Sequence, residues 1–125
     1  MLRLVEEASG ELLDNLLDAV PAGLEQKLDS ALSTVQLEVL AEATRNPKVA
    51  DALRAADARA RKRLRELLAG ERGTLRHCDG AEIESRIEVL LALFGGMPIR
   101  RLMNPGLKRD ALIAAIRPVV RTVLT

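Results

Sequence analysis

The sequence predicts an all-α fold of five or six amphipathic helices. Three observations carry that reading. Apolar residues recur at intervals of three and four along almost the whole chain, and no stretch alternates as a half-buried strand would. The breaks between periodic stretches hold helix-capping residues or proline–glycine turns.

The first stripe is Val5, Ala8, Leu12, Leu16 and Ala19, widened by Leu13, Leu17 and Val20. Pro21-Ala22-Gly23 reads as its end. A second stripe, Leu24, Leu28, Ala31, Leu32, Val35 and Val39, runs to about Arg45. Asn46-Pro47 reads as an N-cap followed by proline at the first helical position, where its missing N–H costs nothing. The third helix carries Val49, Leu53, Ala56, Ala60, Leu64 and Leu67, with Gly70 and Gly73 as stops. Residues 73–78 form a connector.

Asp79 and Glu82 then stand three apart at a helix start, the spacing of a capping box with aspartate as the cap. The fourth helix, from about Gly80 to Met103, is the most apolar. Ile83, Ile87, Leu90, Leu91, Phe94 and Met97 line one side of it, and Val89, Leu93, Gly96 and Ile99 follow a second. Pro98 should kink this helix or end its first part. Asn104-Pro105-Gly106 is a turn. The last helix starts near Lys108 and carries Leu112, Ile113, Ile116, Val119, Val120, Val123 and Leu124, with Pro118 as a second kink.

Composition narrows the function. The 125 residues include 48% hydrophobic and 30% charged side chains, enough to fill one core and stay in solution. With no linker, low-complexity tract or repeat, residues 1–125 read as a single domain. The net charge is +1, which gives no global pull toward nucleic acid or membrane. Charge is uneven nonetheless. Residues 1–46 hold 3 basic and 9 acidic side chains, and residues 47–78 hold 9 basic and 4 acidic.

Phe94 is the single aromatic residue, which argues against base stacking and against an aromatic cage for a cation. Cys78 is alone, so no disulfide can form within the chain. No apolar run approaches the roughly 20 residues of a membrane span. Glu6 and Glu7 interrupt any signal-peptide core, and a cytoplasmic location is expected.

The last two helices carry more apolar surface than one partner would cover. Two such antiparallel helices, each with a spare face, would close a four-helix bundle with a second copy across a two-fold axis. The expected interface is Ile87, Leu91, Phe94, Gly95, Met97, Ile113, Ile116 and Val120, with Gly95-Gly96 allowing close backbone approach. Such an interface would bury roughly 2,000 Å² or more in total. Burial of both faces within one subunit is the competing reading.

Several features invite sharper hypotheses and support bland ones better. Arg59-Ala60-Arg61-Lys62-Arg63-Leu64-Arg65 spreads its charges around the helix, with Asp57 and Glu66 placed to pair at three or four residues. It reads as a solvated face before an acidic-partner surface, and phosphate binding comes last. The acidic first third could itself be that partner. His77 and Cys78 have no second His or Cys to complete a metal site, nor an orienting group for a nucleophile. Gly95-Gly96 lacks the Lys-Ser/Thr of a phosphate loop, and Glu6/Glu7 and Glu82/Glu84 read as exposed helix positions. Neither catalysis nor a cofactor is expected.

The stretch Asn46-Pro47-Lys48-Val49-Ala50-Asp51-Ala52-Leu53, the Arg-rich helix and Gly73-Thr74-Leu75-Arg76 together resemble the C-terminal domain of TetR/AcrR-type transcriptional regulators. So do the acidic cap, the long apolar helix with its Gly-Gly-Met, and Arg100-Arg101-Leu102-Met103-Asn104-Pro105-Gly106-Leu107 before a last amphipathic helix. The likeness is one of helix lengths and connectors from about Leu2 to Leu124. It implies a pocket for a small effector among the middle helices and a dimer bundle made by the last two. The family's N-terminal helix-turn-helix unit has no counterpart here, since the chain opens at Met1-Leu2-Arg3-Leu4 where the family's fourth helix would begin. Direct nucleic-acid binding by this chain is therefore not expected.

If a pocket exists it is aliphatic, and an acyl chain or other aliphatic effector would fit it better than a planar aromatic. The expected lining is Leu16, Leu32 and Leu53, with Gln36, Thr44 and Arg86 at the polar edge and Ser33 nearby. Transcriptional regulation by a homodimeric sensing core is the leading function. A second reading is an antirepressor that heterodimerises with a DNA-binding TetR-type regulator. A third is a helical interaction module with no ligand.

Overall fold

The computed structural model describes residues 2–125, apart from the side chains of residues 2, 3, 5, 6, 8, 9 and 30. Val5 and Ala8 of the first stripe, and Glu6, thus lie outside the described side chains. Six helices make up the chain: α1 (Leu2–Leu28), α2 (Ser30–Ala43), α3 (Pro47–Ala69), α4 (Gly80–Gly95), α5 (Met97–Met103) and α6 (Arg109–Leu124). Among the described residues there is no strand.

The first break falls eight residues later than the sequence suggests. α1 runs straight through Pro21-Ala22-Gly23 and stops at Leu28. Its buried stripe, Leu13, Leu17, Val20, Leu24 and Leu28, keeps helical spacing across the proline. The carbonyl that Pro21 cannot bond, that of Leu17, accepts instead from Arg117 Nη1 at 3.0 Å. The chain turns at Asp29, whose carboxylate accepts the Leu32 N–H at 3.0 Å and caps α2. Ser33 Oγ fixes the corner by donating to the Lys27 carbonyl at 2.9 Å.

The expected second stripe is therefore divided. Leu24 and Leu28 are core residues of α1, whereas Leu32, Val35 and Val39 on α2 stay exposed. α2 packs on α5, α3 and α1, and Leu40 remains exposed on it as well.

The other caps lie where the sequence puts them. Asn46 Oδ1 accepts the Lys48 N–H at 3.1 Å with Pro47 at the start of α3, and Asp79 Oδ1 accepts the Glu82 N–H at 2.8 Å. α3 ends at Gly70, but Ala56, Ala60 and Leu67 of its stripe are exposed and Leu68 is the buried residue. The connector also does more than join helices. Leu75 is completely buried, and its N–H donates to the Leu68 carbonyl at 2.8 Å.

The fourth and fifth helices are one predicted helix interrupted at Gly96, with Pro98 in the first turn of α5. α1 packs chiefly along α6, and α4 lies against both α3 and α6. The core at this junction is Leu17 and Leu24 of α1, Ile83 and Ile87 of α4, and Ile116, Val120 and Leu124 of α6. Ile87, Met97, Ile116 and Val120 are thus buried inside one chain. At most 7% of any of the four is exposed, so within one chain these expected interface positions face the core rather than the surface. Their helices have two apolar sides, and the inner one is satisfied by α1.

Candidate effector cleft and outward helix face

Where α1, α3, α4 and α6 converge, packing leaves a cleft of about 150 Å³. Its walls are Leu16, Ala19 and Val20 of α1, Leu64 of α3, Leu90 and Phe94 of α4, and Val120 and Leu124 of α6. All eight are apolar, so the lining offers nothing to transfer a proton, attack a carbon or hold a metal. Among the described residues no group of three His, Cys, Asp or Glu could bind a metal ion. The Phe94 ring approaches the α1 backbone at Gly23, where an added Cβ would stand 3.4 Å from a ring carbon.

Three arginines tie the helices around the cleft. Arg117 joins α6 to α1 through Leu17 and, at 2.9 Å, through Asp18 Oδ1. Arg86 of α4 donates to the Thr122 and Val123 carbonyls, both at 3.1 Å, while Glu82 accepts from the same guanidinium. It thereby serves as a cation at the C-terminus of α6, where the helix dipole is negative. Arg65 of α3 is bonded through Nε to Glu84 of α4. That hydrogen bond holds the Glu84 carboxyl below the usual carboxylate range and raises Arg65, against an opposing desolvation in each case.

The outward sides of α4 and α6 differ from the rest of the surface. From Val89 to Ile99 there is no charged residue. Between Asp110 and Arg121, α6 carries only Arg117, and that guanidinium is turned to α1. Val89, Ala92, Ala111, Ala115, Val119 and Thr122 are exposed, with Leu93 and Gly96 half-buried among them.

The structure scatters the sequence-predicted pocket. Leu16 lies in the cleft, whereas Leu32 is exposed on α2 and Gln36 half-buried beside it. Thr44 and Leu53 border a separate shallow depression where α2 meets α3, and Arg86 caps α6. Of the predicted interface, Phe94 and Val120 line the cleft, Leu91 and Ile113 are half-buried beside the core, and Gly95 is exposed. Leu64, Leu90 and Leu124 were legible as inner-face residues but not as neighbours. Arg117 and Asp18 lie 99 residues apart in sequence, and no local signal links them.

The basic run behaves as a solvated face. Asp57 pairs with Arg61 at 2.9 Å and Glu66 with Lys62 at 4.0 Å, both on α3 itself. His77 is exposed and Cys78 half-buried and free.

A family model described as BetI-type transcriptional repressor, C-terminal, matches residues 10–125. The chain belongs to this family of TetR-type C-terminal domains. Its six helices and the absence of strand among the described residues agree with an all-α domain of this kind. Membership assigns the BetI-type chain to transcription regulation. No curated protein and no solved structure matches it. Among the described residues no helix of this BetI-type domain is long and apolar enough to cross a membrane.

Proposed function

We propose that this BetI-type domain senses a small apolar effector and dimerises through the outward sides of α4 and α6. The charge-free face from Val89 to Ile99, continued on α6 by Ala115 and Val119, carries the dimer reading. Small side chains there let helices of a second copy approach closely, and flanking Glu82, Glu88 and Arg121 would form a polar rim. Total surface supports it. The chain exposes 8341 Å², whereas a folded monomer of 13.6 kDa is expected to expose about 6,600 Å². The excess is of the size a stable dimer buries.

The effector reading rests on the cleft. A solvent-open cleft near 150 Å³ with apolar walls has room for a benzene-sized or short aliphatic molecule, which would displace water from it. With one aromatic ring, it cannot cage a cation. Binding would favour one arrangement of α1 against α6, the population shift through which a regulator's attached parts are moved. The cytoplasm is the proposed location. Pairing of the same face with a full-length TetR-type relative is the second reading, and it uses the same residues.

Light scattering over a dilution series tests the dimer, and a constant mass near twice 13.6 kDa is the expected result. A monomer at every concentration would overturn it. Co-purification with an added TetR-type regulator, together with loss of self-association, would favour the mixed pair. For the effector, short aliphatic alcohols should raise the unfolding temperature in a saturable way, because a ligand specific to the folded state stabilises it by mass action. A flat response across the series would leave a filled core and no sensor.

A further inference from the structure

Pro21 has no N–H, so within an unbroken helix the carbonyl four residues earlier loses its partner. That carbonyl belongs to Leu17, whose side chain is completely buried. The replacement donor comes from the other end of the chain. Arg117 Nη1 donates to the Leu17 carbonyl at 3.0 Å, and Nη2 donates to Asp18 Oδ1 at 2.9 Å. A guanidinium suits this position because its planar fork reaches two acceptors at once. One α6 side chain thus holds α1 at the weakest point of that helix.

The hold sits beside the cleft. Leu16, Ala19 and Val20 form the α1 wall and all lie within the turn and a half before Pro21. Val120 and Leu124 form the α6 wall, one and two turns beyond Arg117. A molecule larger than the cleft separates these walls, and the Arg117–Leu17 bond spans them. Past Pro21, α1 has other anchors: Leu24 and Leu28 are buried, and the Phe94 ring of α4 closes on Gly23. Before Pro21, Leu13, Leu17 and Val20 are buried as well, so each half of α1 is held as a unit and a change of angle between them would fall at the proline. Arg117 and Asp18 keep 43% and 69% of their side-chain surface exposed, so water can take over their bonds.

We propose that Pro21 and Arg117 form a hinge and its latch. Arg117 holds the carbonyl that Pro21 leaves unbonded, and a molecule entering the cleft is accommodated by releasing Arg117 and bending α1 at Pro21. The inference rests on the effector reading of the cleft. It makes Arg117 a positioning residue for α1 and gives the regulator a moving part that contacts no ligand.

The test uses 1-octanol as the probe and spin-label pairs in a Cys78→Ser background, diluted into unlabelled protein. Labels at Asn15 and Arg121 should move apart at saturating octanol, while labels at Glu25 and Arg121 should not. In Pro21→Ala the Leu17 carbonyl regains an intrahelical donor, so octanol should still raise the unfolding temperature but the first pair should no longer separate. A cycle of urea unfolding midpoints reads the latch without ligand. Arg117→Met should lower the midpoint about twice as far in the wild-type background as in Pro21→Ala. Octanol binding with no separation of the first pair overturns the hinge and leaves the cleft reading standing. No thermal shift with octanol removes the cleft reading and overturns the hinge with it. Equal losses from Arg117→Met in both backgrounds overturn the pairing of Arg117 with Pro21.

Discussion

At Gly73 the backbone leaves no room for a side chain. A Cβ there would fall far inside contact distance of the Leu67 and Leu68 carbonyl oxygens. These are main-chain atoms at the end of a packed helix, and they cannot swing aside. Gly73→Ala should therefore destabilise the fold by about 1–3 kcal/mol, read as a lower urea midpoint with an unchanged slope. Glu84 is a residue whose effect depends on pH. Bonding to Arg65 lowers its pKa below the ordinary 4.5, so it binds protons less readily folded than unfolded. The stability it contributes is complete above that ordinary value and is lost as pH falls through the lowered one. Glu84→Gln should lower the unfolding midpoint at neutral pH, and the gap from wild type should close on acidification below about pH 4.5. A constant gap at all pH values would show that the pair contributes nothing through ionisation.

Among the elements, α1 is continuous for 27 residues although it contains Pro21 and two glycines. Gly10 and Gly23 have different reasons to be glycine. Gly23 adjoins the Phe94 ring, whereas nothing lies within 4 Å of a Cβ on Gly10. Gly10→Ala should stabilise the protein by about 0.5–1 kcal/mol, because alanine loses less backbone entropy on entering a helix. Thermal unfolding of the variant checks this, and a fall in midpoint would mean that Gly10 meets a partner surface. α3 shows the opposite economy. Residues 54–60 are all exposed, and this stretch is built of alanine and charged residues that form helix without tertiary support.

For the whole molecule, burial decides which apolar residues are available for pairing. Ile116 faces inward and Val119, three residues on, faces outward. Val119→Glu should leave helicity and unfolding midpoint near wild type and halve the mass measured by light scattering. Ile116→Asp should instead unfold the chain, because an unpaired carboxylate in the core costs several kcal/mol. If Val119→Glu stays dimeric, the α4/α6 face is not the interface. The exposed apolar side of α2 would then become the next surface to mutate.

The all-α class with five or six helices, the caps at Asn46 and Asp79, and the turn at Asn104 were legible in the sequence because each rests on neighbours within one or two helical turns. A hydrogen bond from Asn46 Oδ1 to the Lys48 N–H needs no information from elsewhere in the chain. The family resemblance was legible for a related reason, since it lies in helix lengths and connectors. Only the tertiary structure decided that α1 passes through Pro21, for the donor that makes this tolerable is Arg117, 100 residues from the carbonyl it serves. It also decided which side of α6 is inside. A helix with apolar residues on two sides gives the same periodicity whichever side is buried, and only the packing of α1 against Ile116 and Val120 breaks that tie. The cleft belongs to the same category. Its walls come from four helices, and the space between them depends on how four separate stripes fail to interlock rather than on any one of them.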